Sequence, residues 1–258
     1  MKKLSKIQSY LVGLLQSDGH FNGKYFSIEL SAKDSDIIYK LHSSMKDSSI
    51  YYRTRDTNFV KNYKSIILNF YNKKLIKKLG PFIPIGKKSS LITCPKEIIY
   101  SEYDYWRGMV DGDGSLGIKE KTGQPFISIN TASDFLLQDF NQFLHKEINF
   151  KLNIKRNKRD NTYNMVLLMA KSILIVRKLY ENNILAIDRK NIKANSIISF
   201  DLKRFNSKEN PFPFSEEDDL LIINNSQSQS IKLIPNHHPT SISSRRRFLR
   251  SIRKYGFI

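Results

Sequence analysis

Cysteine is almost missing from this chain of 258 residues, where Cys94 stands alone. One thiol closes no disulfide within the chain and builds no cysteine-based zinc site, so the sequence reads as a reduced, intracellular protein rather than a secreted one. Long apolar runs are lacking too. No stretch approaches the ~20 apolar residues of a membrane span. The basic opening Met1-Lys2-Lys3-Leu4 is not followed by the apolar core of an export signal. Neither a basic amphipathic helix nor a lipidation signal marks the N-terminus as a membrane anchor. Acidic residues are scarce: 24 Asp and Glu stand against 43 Lys and Arg, a net charge of +19. Such an excess points to a polyanion, most often nucleic acid, although heavy use of Lys, Ile and Asn also follows from an AT-rich genome. What remains is ample for folding. With 40% hydrophobic and 26% charged residues the chain is globular in composition, long enough for one large domain or two modest ones.

The organising feature is a repeat. Leu11-Val12-Gly13-Leu14-Leu15-Gln16-Ser17-Asp18-Gly19 and Trp106-Arg107-Gly108-Met109-Val110-Asp111-Gly112-Asp113-Gly114 lie 95 residues apart, from Asp18 to Asp113. Each is an apolar helical run that stops at Asp-Gly. Ser5-Lys6-Ile7-Gln8 has capping-box form ahead of the first copy, and Ser101-Glu102-Tyr103-Asp104 a similar form ahead of the second. Gly19 and Gly114 sit where a helix would end.

Alternation follows each helix. Phe26, Ile28 and Leu30 share one face of a strand, and so do Ile127 and Ile129. Helices open near Ser35-Asp36 and Ser133-Asp134. Two further strands per copy are expected, at Ser49–Thr57 and Tyr63–Phe70, then at Phe150–Asn157 and Thr162–Met169. Short helices at Asn72–Leu79 and Lys171–Tyr180 close each unit, the join falls at Ser89–Ser101, and Lys190–Phe200 adds a last helix. Breakers from Lys203 to Phe214 read as a linker. Beyond it, Ser215-Glu216-Glu217-Asp218 has capping-box form, and Thr240–Lys254 combines Ile242, Leu249 and Ile252 with Arg245, Arg246, Arg247, Arg250, Arg253 and Lys254. That is the outline of a small helix-turn-helix unit, with a plain phosphate-binding tail as the alternative.

Gly13 and Ser17 share a helix face, as do Gly108 and Gly112, and small residues at that spacing let two helices approach closely. A crossing there brings Asp18 and Asp113 side by side. Two carboxylates so close repel unless a divalent cation lies between them, and oxygen ligands with open positions suit Mg²⁺. Metal ions lower the pKa of an attacking water and neutralise the leaving oxygen in phosphodiester hydrolysis. The main-chain carbonyls of Ser17 and Gly112 are further candidate ligands. Either Asp-Gly alone reads as an ordinary turn. A calcium loop starting at Asp111 fails because Leu116 and Thr122 stand where Gly and Glu are required. His237-His238 reads as a solvated loop rather than a metal pair.

With these residues in hand, the chain resembles a monomeric, two-repeat LAGLIDADG homing endonuclease over about residues 4 to 200. The resemblance implies an α+β fold of two pseudo-symmetric αββαββα halves packed through their motif helices. It divides the chain into a first repeat (1–95), a second repeat (96–202), a linker (203–213) and a basic helical extension (214–258). It implies that Asp18 and Asp113 bind two or more Mg²⁺ ions and that a basic residue late in each half, Lys88 and Lys190, assists catalysis. Lys87 and Arg189 are close rivals for that place. The first motif departs at Gln16, where the second has Asp111. The family lays its sheets in the DNA major groove, where Arg reads guanine and Asn reads adenine. On that face fall Ser27, Glu29, Ser31, Arg53 and Arg55 in the first half, and Ser128, Asn130, Asn153 and Lys155 in the second. Tyr51 and Tyr63 are candidates for stacking, and Arg245, Arg246, Arg247 and Arg250 for contacts from the extension. The implied activity is Mg-dependent, site-specific cleavage of double-stranded DNA by a mobile-intron or free-standing nuclease. The alternative on the same scaffold is a binding protein, either a maturase for its own intron RNA or a DNA-binding regulator.

Overall fold

The computed structural model describes residues 3–57, 60–202 and 214–257. The linker expected at 203–213 lies outside the described residues. Helix α1 (Lys6–Ser17) opens as its sequence predicts: the Ser5 hydroxyl accepts the Gln8 N–H, and the Gln8 side chain accepts the Ser5 N–H. Helix α4 (Glu102–Asp111) does not repeat this. Ser101 Oγ donates to Asp104 instead of accepting from the backbone, and Asp104 in turn holds the buried Arg107.

The two motif helices cross at their glycines. A methyl group built on Gly13 would lie 2.2 Å from the Tyr105 carbonyl oxygen, and one built on Gly108 would lie 2.2 Å from that of Tyr10. Tyr10 and Tyr105 occupy the same position in the two repeats. The contact is therefore reciprocal, and a pseudo-two-fold axis runs between the helices. Any larger residue at either glycine would force the backbones apart.

Each motif helix feeds an antiparallel sheet. In the first half β1 (Gly19–Phe21), β2 (Phe26–Ser31), β3 (Ser48–Arg55) and β4 (Tyr63–Phe70) assemble in the order β1-β2-β4-β3, with α2 (Ser35–Ser44) and α3 (Lys73–Leu79) on one side. In the second half β5 (Gly114–Ile118), β6 (Pro125–Thr131) and β7 (Tyr163–Leu168) form a three-stranded sheet with α5 (Asp134–Ile148), α6 (Met169–Tyr180) and α7 (Asp188–Ile198). Alternation does what the sequence implies. Phe26, Ile28, Leu30, Ile66, Leu68 and Phe70 are buried under the helices, and so are Ile127, Ile129, Met165 and Leu167. Each such side chain contributes roughly 1.5–3 kcal/mol on burial.

The strand expected at Phe150–Asn157 does not form. The segment alternates in exposure as a strand would, but its backbone is satisfied elsewhere. The Asn141 amide takes both the N–H and the carbonyl of Leu152, at 2.7 and 3.1 Å, and only the Asn157 N–H reaches across, to Thr162. Side-chain hydrogen bonds have replaced the ladder.

At the C-terminus α8 (Glu216–Asn224), α9 (Gln227–Leu233) and α10 (Pro239–Lys254) bury Ile222, Ile242, Leu249 and Ile252 together. Ser215 and Asp218 form the expected capping box. His237 and His238 lie in the loop expected of them, His238 exposed and His237 half-buried. His237 stacks on Phe214 with ring centroids 3.9 Å apart, and His238 caps α10. Among the described residues no helix is long and apolar enough to cross a membrane.

Candidate active site

Asp18 closes α1, its N–H donating to the Leu14 carbonyl at 3.0 Å. The chain must then fold back sharply over its own helix. A methyl group on Gly19 would lie 2.5 Å from the Leu15 Cα, and one on Gly114 would lie 2.6 Å from the Val110 Cα. Glycine is obligatory after each aspartate for the same steric reason, and the two Asp-Gly steps are equivalent corners. Across the axis the approach is closer still. A methyl group on Gly112 would overlap Ser17 Oγ at 1.8 Å and come within 3.3 Å of Asp18 Oδ2. The Asp18 carboxylate thus sits against the residue that precedes Asp113.

Crowding sets the electrostatics. Burial by the surrounding protein, and then the Asp113 charge, push the Asp18 carboxyl up to about 6, while Lys190 and Lys88 pull it down. Asp113 is raised by the same desolvation against the pull of Lys88 and Lys190. Burial brings the Lys88 ammonium down to about 8 despite both aspartates, and also lowers Lys190. Two acids and two bases therefore share one field on the axis, each acid sensing both lysines.

The lysines occupy equivalent places and do related work. Lys88 Nζ donates to the carbonyls of Leu15 and Gly19. Lys190 Nζ donates to those of Val110 and Asp111 at 2.7 and 2.6 Å, and to those of Gly112 and Gly114 at 3.3 and 3.0 Å. Both cap the last turn of a motif helix, where carbonyls lack partners and the helix dipole favours a cation. They are not equally committed. An ammonium has three N–H bonds. Four carbonyls around Lys190 use all of them, whereas Lys88 keeps one in hand. Of the rivals, Lys87 is exposed and Arg189 is held by Asp34 at 2.7 and 2.8 Å.

Gln16 and Asp111 do not oppose each other, despite their matching places in the motif. Each binds the tyrosine of the other helix: Tyr105 donates to Gln16 Oε1 at 2.6 Å and Tyr10 to Asp111 Oδ2 at 2.7 Å. Their remaining partners explain the difference in residue type. The Gln16 amide donates to the Phe82 and Thr93 carbonyls. Asp111 instead meets donors, the Tyr180 hydroxyl and the Ile187 N–H. A carboxylate at 16 would face two carbonyl oxygens. These cross-helix tyrosines escaped the sequence reading, although they repeat with the motif spacing.

The donor set fits a hard divalent cation. Among the described residues no group of three or more His, Cys, Asp and Glu gathers. The protein thus offers two carboxylates that repel one another, and a cation between them would relieve that repulsion. Of the two candidate carbonyls, that of Gly112 already receives Lys190. The Ser17 hydroxyl is turned into its own helix, donating to Gly13 and Leu14.

On either side of this centre lie the open faces of the two sheets. In the first half His20 pairs with Ser27, and Arg53 and Arg55 stand on Glu29 at 3.5 and 3.2 Å. Glu29 also accepts from Ser65, so it orients two guanidinium groups rather than presenting a free acid. Ser31 accepts the N–H of Lys33. In the second half Ser128 donates to the Ser115 carbonyl, and Asn130 lines a cleft of about 220 Å³ with Gln16, Ser17 and Asp113. Asn153 and Lys155 are exposed on the segment that is not a strand. Tyr51 is exposed and Tyr63 half-buried. His20, Ser115 and Asn164 join this face unannounced, because register placed them there. The C-terminal arginines divide. Arg247 and Arg250 are exposed, but Arg245 and Arg246 are buried. Arg245 binds Asp219 bidentately at 2.7 and 2.5 Å, and Arg246 holds the Asn225 carbonyl and the Ser230 hydroxyl. These two are internal struts and not contacts for DNA.

Residues 102–194 match the family model of the LAGLIDADG-like domain, from the start of α4 through most of α7. No curated protein shows a matching sequence. Among solved structures, the homing endonuclease I-WcaI bound to its DNA recognition sequence is similar at 18% identity and a TM-score of 0.53, covering 74% of this chain and 88% of that one. The I-LtrWI LAGLIDADG homing endonuclease bound to target DNA is 12% identical, with a TM-score of 0.47 over 75% and 89% of the two chains. The N-terminal LAGLIDADG domain of DUF199/WhiA is 16% identical, with a TM-score of 0.46 over 71% and 86%. The fold is similar to that of the homing endonuclease I-WcaI, and residues 102–194 in its second half match the LAGLIDADG-like domain.

Proposed function

We propose that this protein is a divalent-metal-dependent endonuclease that cuts both strands of duplex DNA at a long, non-palindromic site, acting as a monomer. One observation carries the reading: Asp18, Asp113, Lys88 and Lys190 converge on the pseudo-two-fold axis between two sheet faces. A pair of backbones related by a two-fold axis calls for a reactive centre on such an axis. The halves differ in the residues they present, which suits a target whose two halves differ.

Asp18 and Asp113 are the residues that would hold the metal. Bound there, divalent ions would lower the pKa of water and neutralise charge on the leaving oxygen. Around them the chain has distinct tasks. Lys190 fixes the carbonyls at the end of α4. Lys88, with one N–H to spare, can donate to water or to a phosphate oxygen. Arg53, Arg55, Asn130 and Asn153 have the chemistry for base edges, while the basic surface holds phosphates and makes affinity fall with salt. A pure binding protein, whether maturase or regulator, gains nothing from two partly buried carboxylates of which one raises the other. The test uses duplex DNA built from the sequences flanking the gene, with Mg²⁺, with Ca²⁺ and with a chelator. Cleavage in Mg²⁺ alone supports the nuclease. Tight binding under all three conditions without a cut makes it a binding protein.

A further inference from the structure

We propose that the pole of the first half farthest from the aspartates is a second nucleic-acid surface, one that grips the phosphate backbone of a segment other than the one on the sheets. There Lys6 opens α1, Lys46 follows α2, and α3 carries Lys73, Lys74, Lys77 and Lys78. Three of them, Lys46, Lys74 and Lys78, line a cavity of about 330 Å³ together with Ser5, Gln8 and Asn72 and the apolar Ile7, Met45 and Leu75. Lys78 donates to Gln8. The others form no ion pair with a described residue, and Asp47, next to Lys46 in sequence, accepts from the Asn72 amide at 3.0 Å.

The second half supplies an internal control, because it has the same pole built on the same scaffold. There Glu102 opens α4 and binds Lys146 at 2.5 Å, while Glu147 binds Lys178 at 2.8 Å. That pole is neutralised by carboxylates. A general drift toward lysine would load both halves alike, so the unopposed cluster is specific to the first. It is also unfavourable in isolation. Lys6 lies at the positive end of a helix that has no acid in its first turn. Lys73 and Lys77, like Lys74 and Lys78, repel at a spacing of four on α3. Bound phosphates relieve all three conflicts. Ser5, Asn72 and the unpaired lysines at this cavity are donors for phosphate oxygens, and their summed positive charge calls for an anionic backbone.

This surface is separate from the reactive centre. Helix α1 has 12 residues and so sets the pole about 18 Å from Asp18, more than two screening lengths at physiological salt. The inference stands apart from the cleavage reading, since it concerns how many segments bind and not whether one is cut.

The test substitutes Lys46→Gln, Lys74→Gln and Lys77→Gln together in the full chain, sparing Lys78 because it supports the α1 cap. A second variant, Arg53→Gln with Arg55→Gln, removes charge from the sheet. Binding of a 20-base RNA and of a 20-base-pair duplex is followed by sedimentation across a salt series. Wild type should take up two segments and the triple variant one, with the salt dependence of log K reduced by up to about three, near one per lost phosphate contact. One segment on wild type and none on the triple variant would keep this surface and overturn the sheet reading instead. Whichever polymer loses more identifies the segment as RNA or DNA. A triple variant equal to wild type in both count and salt slope overturns the proposal. So does loss of binding to phosphatidylserine vesicles with nucleic-acid binding unchanged.

Discussion

At the scale of single residues, the centre is built from groups held in unfavourable states. The Asp18 carboxyl titrates near 6 instead of its ordinary 3.8, because burial and Asp113 penalise its charge. A carboxyl raised on folding contributes stability below its unfolded value and loses it as the pH climbs through the folded one. In the absence of divalent ions, Asp18 therefore weakens the fold progressively between pH 4 and 6. Asp18→Asn should melt higher than wild type at pH 8, by about 1 kcal/mol once solvent screening of this partly exposed group is allowed for. The difference should vanish near pH 3.5, and added Mg²⁺ should raise the melting temperature of wild type only. Thermal denaturation across that pH range decides the matter, and equal melting at pH 8 would remove the electrostatic conflict. The aspartates themselves were legible in the sequence because they repeat. The tyrosines that distinguish Gln16 from Asp111 were not, since Tyr105 meets Gln16 from 89 positions away. A motif fixes positions along one helix and says little about which donors a second helix brings.

At the scale of elements, the molecule depends on two helices touching backbone to backbone. The opposed carbonyls lie where a β-carbon on Gly13 or Gly108 would have to go. Gly108→Ala should therefore cost about 3 kcal/mol, or roughly 6–12 °C in melting temperature for a chain of this size. Calorimetry checks it, and a loss under 1 kcal/mol would mean that the helices can separate freely. Periodicity made this crossing legible, as it did the strands whose apolar residues alternate. It failed at Phe150–Asn157, where the alternation is real but Asn141 satisfies Leu152 and the ladder never closes. It failed also at Ser101, whose hydroxyl goes to Asp104 because Asp104 must hold Arg107. In each case a side chain distant in sequence or committed elsewhere outbid the local pattern.

At the scale of the whole molecule, charge is distributed unevenly, and the sequence gives its sum without its placement. Six basic residues on α10 looked alike in the chain. Folding hides Arg245 behind Asp219 and Arg246 behind Ser230, and leaves Arg247 and Arg250 outside. Arg247→Gln with Arg250→Gln should weaken DNA binding about tenfold at moderate salt and lower the salt slope by up to two. Arg245→Gln should instead destabilise the C-terminal helices, because it takes from the half-buried Asp219 its bidentate partner. Titrations over a salt series, with circular dichroism of each variant, separate the two. An unchanged slope in the double variant would make the extension a bystander.

The central claim is that one composite centre on the pseudo-two-fold axis serves both strands. Its most direct test is strand-resolved cleavage of duplex DNA, built from the gene's flanking sequences and labelled on each strand, by wild type, Asp18→Asn and Asp113→Asn in Mg²⁺. The account predicts that wild type cuts both strands, that each single substitution slows cleavage of both by at least about 100-fold, and that affinity for the duplex holds. Undiminished cutting of both strands by both variants would contradict it.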